Sequence, residues 1–494
     1  MITILNNDRR HYFNLILISL LFLLCTGLDK QAIEEIAVVG DRIIDWQSVN
    51  QSFELEPQWK KGMTHQEAYF HQLQYLIHQK LFALAAHAEA LDKDPMIAGF
   101  IKYIKHKEMI KALYKKVVAV KVDISEQDYQ EAYTISKKRI ILNYIYTSDS
   151  IRVDTYLKKM RESSFLEVQL IDPLSDIKGT TQPFSFGDMR EELEEVVFDM
   201  KPGDVAGPFT INDGFMIVQL ANGQIDKFMS EQDFALNKSK IRKVLFDRKA
   251  AKLANTYIKE LMLDKKLQLN PPIFFTLADQ MNRIVKNKYA DKPLPIYISN
   301  EEINIAKGNL TSIQDEILIT YQNNQMTVKE FLNNLYQIPV EFRPKAKTSR
   351  QLKDAIGVII RNEYLEKEAR KMGLDDNSAV KHNIEKQSDK ILAKYWLEKR
   401  LSIMNVLPTE VEDHDNSRPS QLFVQRTGEE VKEHGSSPYL KDKNSAEIYN
   451  RLIDSLSTRC TIKVDSQLFY SKISNPNEII KNNPARFIIR ELFY

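Results

Sequence analysis

Shifted by 283 residues against itself, the chain lays its own apolar positions on one another without a gap. Ile36 falls on Ile319, Ile43 on Met326 and Phe53 on Tyr336. Leu73, Leu76 and Ile77 fall on Ile356, Ile359 and Ile360, Met109 on Leu392 and Leu113 on Trp396. These are core-type residues at helical spacing, and such a repeat limits the architecture more than any single motif does. A second match needs a shift of 195: Leu253, Ile258, Leu261, Leu267 and Leu269 fall on Ile448, Ile453, Leu456, Ile462 and Val464. The two shifts, 283 and 195, differ by 88 residues. The second copy therefore keeps both flanks and lacks a filling, roughly Lys138 to Gln224, long enough to fold by itself.

The expected architecture is α+β and multidomain: two mainly helical modules, the first carrying an inserted α+β domain. Residues 28–137 form the first module and 138–226 the insert. A helix and strand at 227–275 are expected to close the first module, and 276–316 to be a linker. The second module spans 317–411. A polar linker follows at 412–444, and 445–494 are expected to close the second module. Size alone asks for several domains at 494 residues. A net charge of +2, with 69 basic and 67 acidic residues, gives no nucleic-acid arm. No glycine-rich phosphate loop, HExxH or CxxC is present, so no cofactor or metal is expected. His65, His71, His78 and His87 read as helix surface.

The N-terminus reads as an export signal. Arg9 and Arg10 precede an apolar run from Tyr12 to Leu24, and Cys25-Thr26-Gly27 offers small residues for cleavage after Gly27. Retention of the run as an anchor and lipid on Cys25 are the alternatives. Residues 1–27 are thus a signal peptide and the chain is placed in the periplasm. Cleavage leaves only Cys460, so no internal disulfide is expected.

Within the filling, "MKPGDVAGPFTINDGFMIVQL" runs turn, strand, turn, strand: Pro202-Gly203 suits a type II turn, and Asn212-Asp213-Gly214 a hairpin. Before it, Met189, Leu193, Val196, Val197 and Met200 recur at helical spacing. The segment from Ser185 to Leu220 resembles the parvulin peptidyl-prolyl isomerase domain: Gly187, Met189, Phe198, Gly203, Pro208 and Gly214 fall on its pattern. The flanks, with "IAVVGDRIIDWQSV" and "QNNQMTVKEFL", resemble the helical region of SurA-type periplasmic foldases.

That resemblance implies a site. The two histidines of catalytic family members fall on Tyr144 and Met216, and a third polar position falls near Asp172. The proline pocket falls on Met189 and Leu193, with Phe184, Phe215 and Met216 as further apolar contacts. The implied function is an extracytoplasmic chaperone for unfolded polypeptides, outer-membrane proteins among them. The alternative is a working isomerase built on Tyr144 and Asp172. The expected partners are extended polypeptide clients and no nucleic acid, with membrane association only through the N-terminus.

Overall fold

The structure, a computed structural model, describes residues 34–147, 149–170, 176–211, 214–226, 230–288, 297–346, 348–403 and 443–481. The expected signal peptide, the polar stretch 412–444 apart from its last two residues, and the C-terminal "ARFIIRELFY" lie outside the described residues.

The first repeat opens with a hairpin of β1 (Glu35–Val39) and β2 (Arg42–Asp45), turned at Gly40 with φ +63°. Asp45 caps α1 (Trp46–Leu55). A reciprocal pair of Thr64 and Glu67 caps α2 (His65–Ala88), satisfying two helix-end donors at once. Asp94 and the following proline start α3 (Pro95–Val117). After α4 (Glu126–Ser136) comes the inserted lobe: β3 (Lys138–Thr147), α5 (Ser150–Lys159), α6 (Phe165–Leu170), β4 (Ile177–Thr180), α7 (Glu191–Val197), β5 (Val205–Ile211) and β6 (Gly214–Ile225). The lobe is one antiparallel sheet in the order β4-β3-β6-β5. The chain leaves it along α8 (Glu231–Met262) into β7 (Gln268–Leu269), α9 (Pro271–Lys288) and α10 (Asn300–Asn309). The second repeat follows as β8 (Ile317–Tyr321), β9 (Asn324–Thr327), α11 (Val328–Gln337), α12 (Ser349–Lys371) and α13 (Ser378–Ile403). Then come α14 (Lys443–Ser457), β10 (Ile462–Val464) and α15 (Ser466–Ser471). At a shift of 283, β1, β2, α1, α2 and α3 coincide in turn with β8, β9, α11, α12 and α13.

The closing segments are exchanged relative to the expectation. β10, expected to close the second repeat, pairs with β1 of the first, Ala37 opposite Val464. β7, expected to close the first, pairs with β8 of the second, Leu269 opposite Ile319. The apolar match that aligns the two segments makes them equivalent, so it cannot say which sheet either joins. Length supplies the reason: α8 has 32 residues and at 1.5 Å per residue carries the chain about 48 Å from the lobe.

Where it is described, the expected linker 276–316 is helical core rather than linker. Phe274, Leu277, Ala278, Met281 and Ile284 on α9, with Ile303 and Ala306 on α10, belong to the main core of the second sheet. Pro271-Pro272 reads as a stop in sequence, but here prolines occupy the first turn of a helix, where a missing N–H costs nothing.

The third helices also cross over. α13 packs on α2, and α3 packs on α12. One core joins Phe82, Ala86 and Ile97 to Leu392, Trp396 and Leu401, with the Phe82 and Trp396 rings stacked at 5.4 Å. Its counterpart joins Met109 and Leu113 to Leu365, Ala369 and Val380. Ion pairs line both crossings. Lys80 Nζ lies 2.8 Å from the buried Asp389 carboxylate, and Arg42 pairs with Glu385. His382 Nε2 lies 2.6 Å from Asp45, and His106 Nδ1 lies 2.6 Å from Glu366. Burial acts to raise the Asp45 carboxyl, but hydrogen bonds with His382 and Ser48 outweigh it and bring it down to about 2. The hydrogen bond with His106 brings Glu366 down to about 2. Both pairs therefore stabilise the crossings at neutral pH, and that stabilisation is lost as the pH falls from about 4 toward 2.

Candidate functional site

In the lobe, β3 and β6 run antiparallel with Tyr146 opposite Met216 and Tyr144 opposite Val218. Side chains alternate along a strand, so all four share one face. Tyr144 and Met216 are diagonal neighbours, a relation that sets Cα atoms about 7–8 Å apart. α7 covers this face through Leu193 and Val197, while Phe184 and Met189 reach it from the segment before α7; all pack in one apolar cluster. Leu193 is 7% exposed and forms the floor. Tyr144, Phe184, Met189 and Met216 are half-buried, each keeping part of its surface in solvent.

Five of the expected site residues are thus brought together. Phe215 is not one of them. It points to the opposite face and packs with Ile145, Val153, Tyr156 and Phe165 beneath α5 and α6. The cause is the strand period of two, which separates Phe215 from its neighbour Met216. Asp172 lies outside the described residues. The described acid nearest to it in sequence, Asp176, accepts a hydrogen bond of 2.5 Å from Tyr156 Oη and lies 3.4 Å from Arg152. Burial acts to raise its carboxyl, but the bonds from Tyr156 and Thr147 and the charge of Arg152 hold it below the usual range. Tyr156 belongs to the far face, so Asp176 is committed there.

Two positioning residues are not evident from the motif. Gly179 of β4 stands opposite Tyr144, and a Cβ there would lie 3.2 Å from the tyrosine hydroxyl. The glycine gives the ring its place. Gln169 on α6 donates to the Tyr144 carbonyl at 3.0 Å and the Gly179 carbonyl at 3.1 Å, tying that helix to the strand pair.

The glycine of the glycine-x-methionine motif serves docking. Gly187 has φ +83°, and a Cβ there would sit 2.5 Å from Val244 of α8. Phe186 beside it is buried among Tyr129, Tyr133 and Ile241 of α4 and α8. Arg248 lies 4.7 Å over the Phe186 ring and 2.8 Å from the buried Glu194 carboxylate, which also accepts the Gly187 N–H at 2.8 Å. Glu194 adjoins Leu193, so α8 holds the helix that floors the apolar face.

Residues 138–226 contain no histidine and no cysteine. Among the described residues, the polar atoms that β3 places on this face are the Tyr144 and Tyr146 hydroxyls, beside the thioethers of Met189 and Met216, which are weak acceptors. Among the described residues no group of three or more His, Cys, Asp or Glu is placed to hold a metal ion. Among them, too, no helix is long and apolar enough to cross a membrane.

No protein-family model matches the chain, and no curated protein does. Solved structures similar to it include the peptidyl-prolyl isomerase PrsA of Bacillus anthracis, at 24% identity over 31% of this chain and 68% of that one, with a TM-score of 0.20. A chain from the Campylobacter jejuni work on PEB4 and Cj1289, described there as two SurA-like chaperones, is 16% identical over 48% of this chain and 100% of its own, with a TM-score of 0.22. The foldase PrsA of Streptococcus pneumoniae is 14% identical over 42% of this chain and 84% of its own, also at 0.22. These neighbours are described as a peptidyl-prolyl isomerase, SurA-like chaperones and a foldase.

Proposed function

We propose that the chain is an extracytoplasmic folding chaperone of the parvulin/SurA type, whose inserted lobe binds extended polypeptide without isomerising it. One observation carries the reading: Tyr144, Phe184, Met189 and Met216 form a half-exposed apolar face over Leu193, in a lobe that has neither imidazole nor thiol. Turning a peptide bond means crossing a barrier of about 18–20 kcal/mol. A site lowers it by supporting the twisted amide better than the planar one, which takes fixed polar groups. An apolar face binds both forms alike. Methionine fits that role, because its flexible, polarizable side chain adapts to varied apolar partners. The arginine pair and apolar run at the N-terminus support export and so a periplasmic site of action, and unfolded outer-membrane proteins are the clients that the resemblance to SurA-type foldases implies.

The test is dilution of a denatured outer-membrane β-barrel protein into buffer with the mature chain. Light scattering is expected to fall sharply at near-equimolar chaperone. Met189→Lys combined with Met216→Lys is expected to weaken that protection. Scattering unchanged by the wild-type chain rejects the reading.

A further inference from the structure

The first repeat carries a column of aromatic rings beside α1. Trp59 stacks on Phe53 at 5.2 Å, Phe53 on Tyr69 at 4.0 Å and Tyr69 on Trp46 at 5.3 Å. Trp46 meets the buried Phe469 edge-on at 6.3 Å, which is the foot of the column. The four stacked rings are half-buried. Two hydrogen bonds tie them to α1: Trp59 Nε1 donates to the Phe53 carbonyl at 3.1 Å, and Tyr69 Oη donates to Asn50 at 2.8 Å. With those donors engaged, the column presents apolar surface.

The second repeat shows what such a place holds. There α11 is the counterpart of α1, and Tyr336 that of Phe53. α10 packs on α11. It buries Ile303 and Ala306, both 0% exposed, and lays Lys307 over the Tyr336 ring at 4.6 Å. The loop between α11 and α12 holds the root of α10: Arg343 donates to the Ile298 carbonyl at 2.6 Å and to the Asn300 side chain. In the first repeat, among the described residues, α1 packs chiefly on α2 and β2, and α15 is the last helix.

The chain after α15 nevertheless arrives at the equivalent spot. At a shift of 195, α15 matches the start of α9, but it stops at Ser471. The chain then runs antiparallel to residues 62–66. The N–H groups of Gln66, His65 and Gly62 donate to the carbonyls of Pro476, Glu478 and Ile480 at 3.0, 2.9 and 3.0 Å, and the Ile480 N–H donates to the Met63 carbonyl at 2.9 Å. At a shift of 283, Lys60 corresponds to Arg343. Ile480 is therefore held by the same loop of its repeat that holds Ile298 in the other. Residues 482–494 lie outside the described residues, and their sequence has the pattern of a second α10. Asn483 suits an N-cap and Pro484 the first helical position. Ile488, Ile489, Leu492 and Phe493 share one helical face, with Arg486, Arg490 and Glu491 off it. As a helix, residues 484–494 would rise about 16 Å, enough to cover the ring column.

We infer that residues 484–494 form the counterpart of α10 and seat their apolar face on α1, over Trp59 and Phe53. The occupant is the chain's own segment, so the column is withheld from extended clients and the first repeat is closed as the second is. The inference is independent of what the lobe binds.

Hydrogen exchange of the full chain, read by mass spectrometry, tests it. Amides of residues 486–494 are expected to exchange about tenfold or more slowly than in an unstructured peptide. Ile489→Asp with Leu492→Asp is expected to return them to the unstructured rate. The same pair is expected to raise acrylamide quenching of tryptophan emission, since two of the three tryptophans stand in the column. Phe53→Ser is the reciprocal variant and is expected to release the segment too, with circular dichroism as the check on folding. Unstructured rates in the wild type overturn the inference. So does protection that the aspartate pair removes without a change in quenching, which seats the segment elsewhere. Protection that falls on dilution assigns the segment to a second copy and overturns it as well.

Discussion

Asp389→Ala is expected to destabilise the helical body by about 3–5 kcal/mol, the loss typical when one partner of a buried ion pair is removed. The Asp389 side chain is 2% exposed and holds Lys80 at 2.8 Å, with Arg42 at 3.8 Å. Alanine would leave the Lys80 ammonium almost dry and without its carboxylate. Replacing both partners by apolar residues, Lys80→Met with Asp389→Leu, is expected to be close to neutral, because desolvating the pair offsets most of its attraction. Urea denaturation followed by circular dichroism measures both. A single variant and a double variant of equal stability would contradict this account of the crossing.

Gly187→Ala is expected to cost about 2–4 kcal/mol and to loosen the lobe from α8. Two terms add. An L-residue at φ +83° carries strain of about 1 kcal/mol. The new methyl would also meet Val244 at 2.5 Å, and a β-branched side chain in a helix has no free rotamer to escape into. Gly203 provides the control. Its φ is +97°, yet nothing lies within 4 Å of a Cβ there, so Gly203→Ala is expected to cost only the strain. Hydrogen exchange is expected to show lost protection along α7 for the Gly187 variant and little change for the Gly203 variant. Equal effects would remove the docking role of the motif glycine.

Much of the fold was legible because apolar spacing carries it. The shift of 283 places each of the first five elements on its later counterpart, since core helices must repeat their buried positions. The exchange of β7 and β10 was not legible. A strand states which face it buries but not which equivalent edge it joins, and Leu269 and Val464 would suit either sheet. α9 was hidden by Pro271-Pro272, although the spacing Phe274, Leu277, Ala278, Met281 was in plain view. In the lobe, the strand period alone separates Met216 from Phe215, so their opposite faces are legible in the sequence. Gly179, Gln169 and Arg248 were not, because each acts through a neighbour distant in sequence.

The central claim is that the lobe grips extended chain through an apolar face that has lost the means to turn it over. Measuring cis–trans exchange of a short proline peptide by nuclear magnetic resonance, with the full chain present at increasing ratio, tests that directly. The account predicts peptide signals that broaden or shift on binding, with an exchange rate equal to that of free peptide. A large acceleration that disappears with Met189→Ala would contradict it.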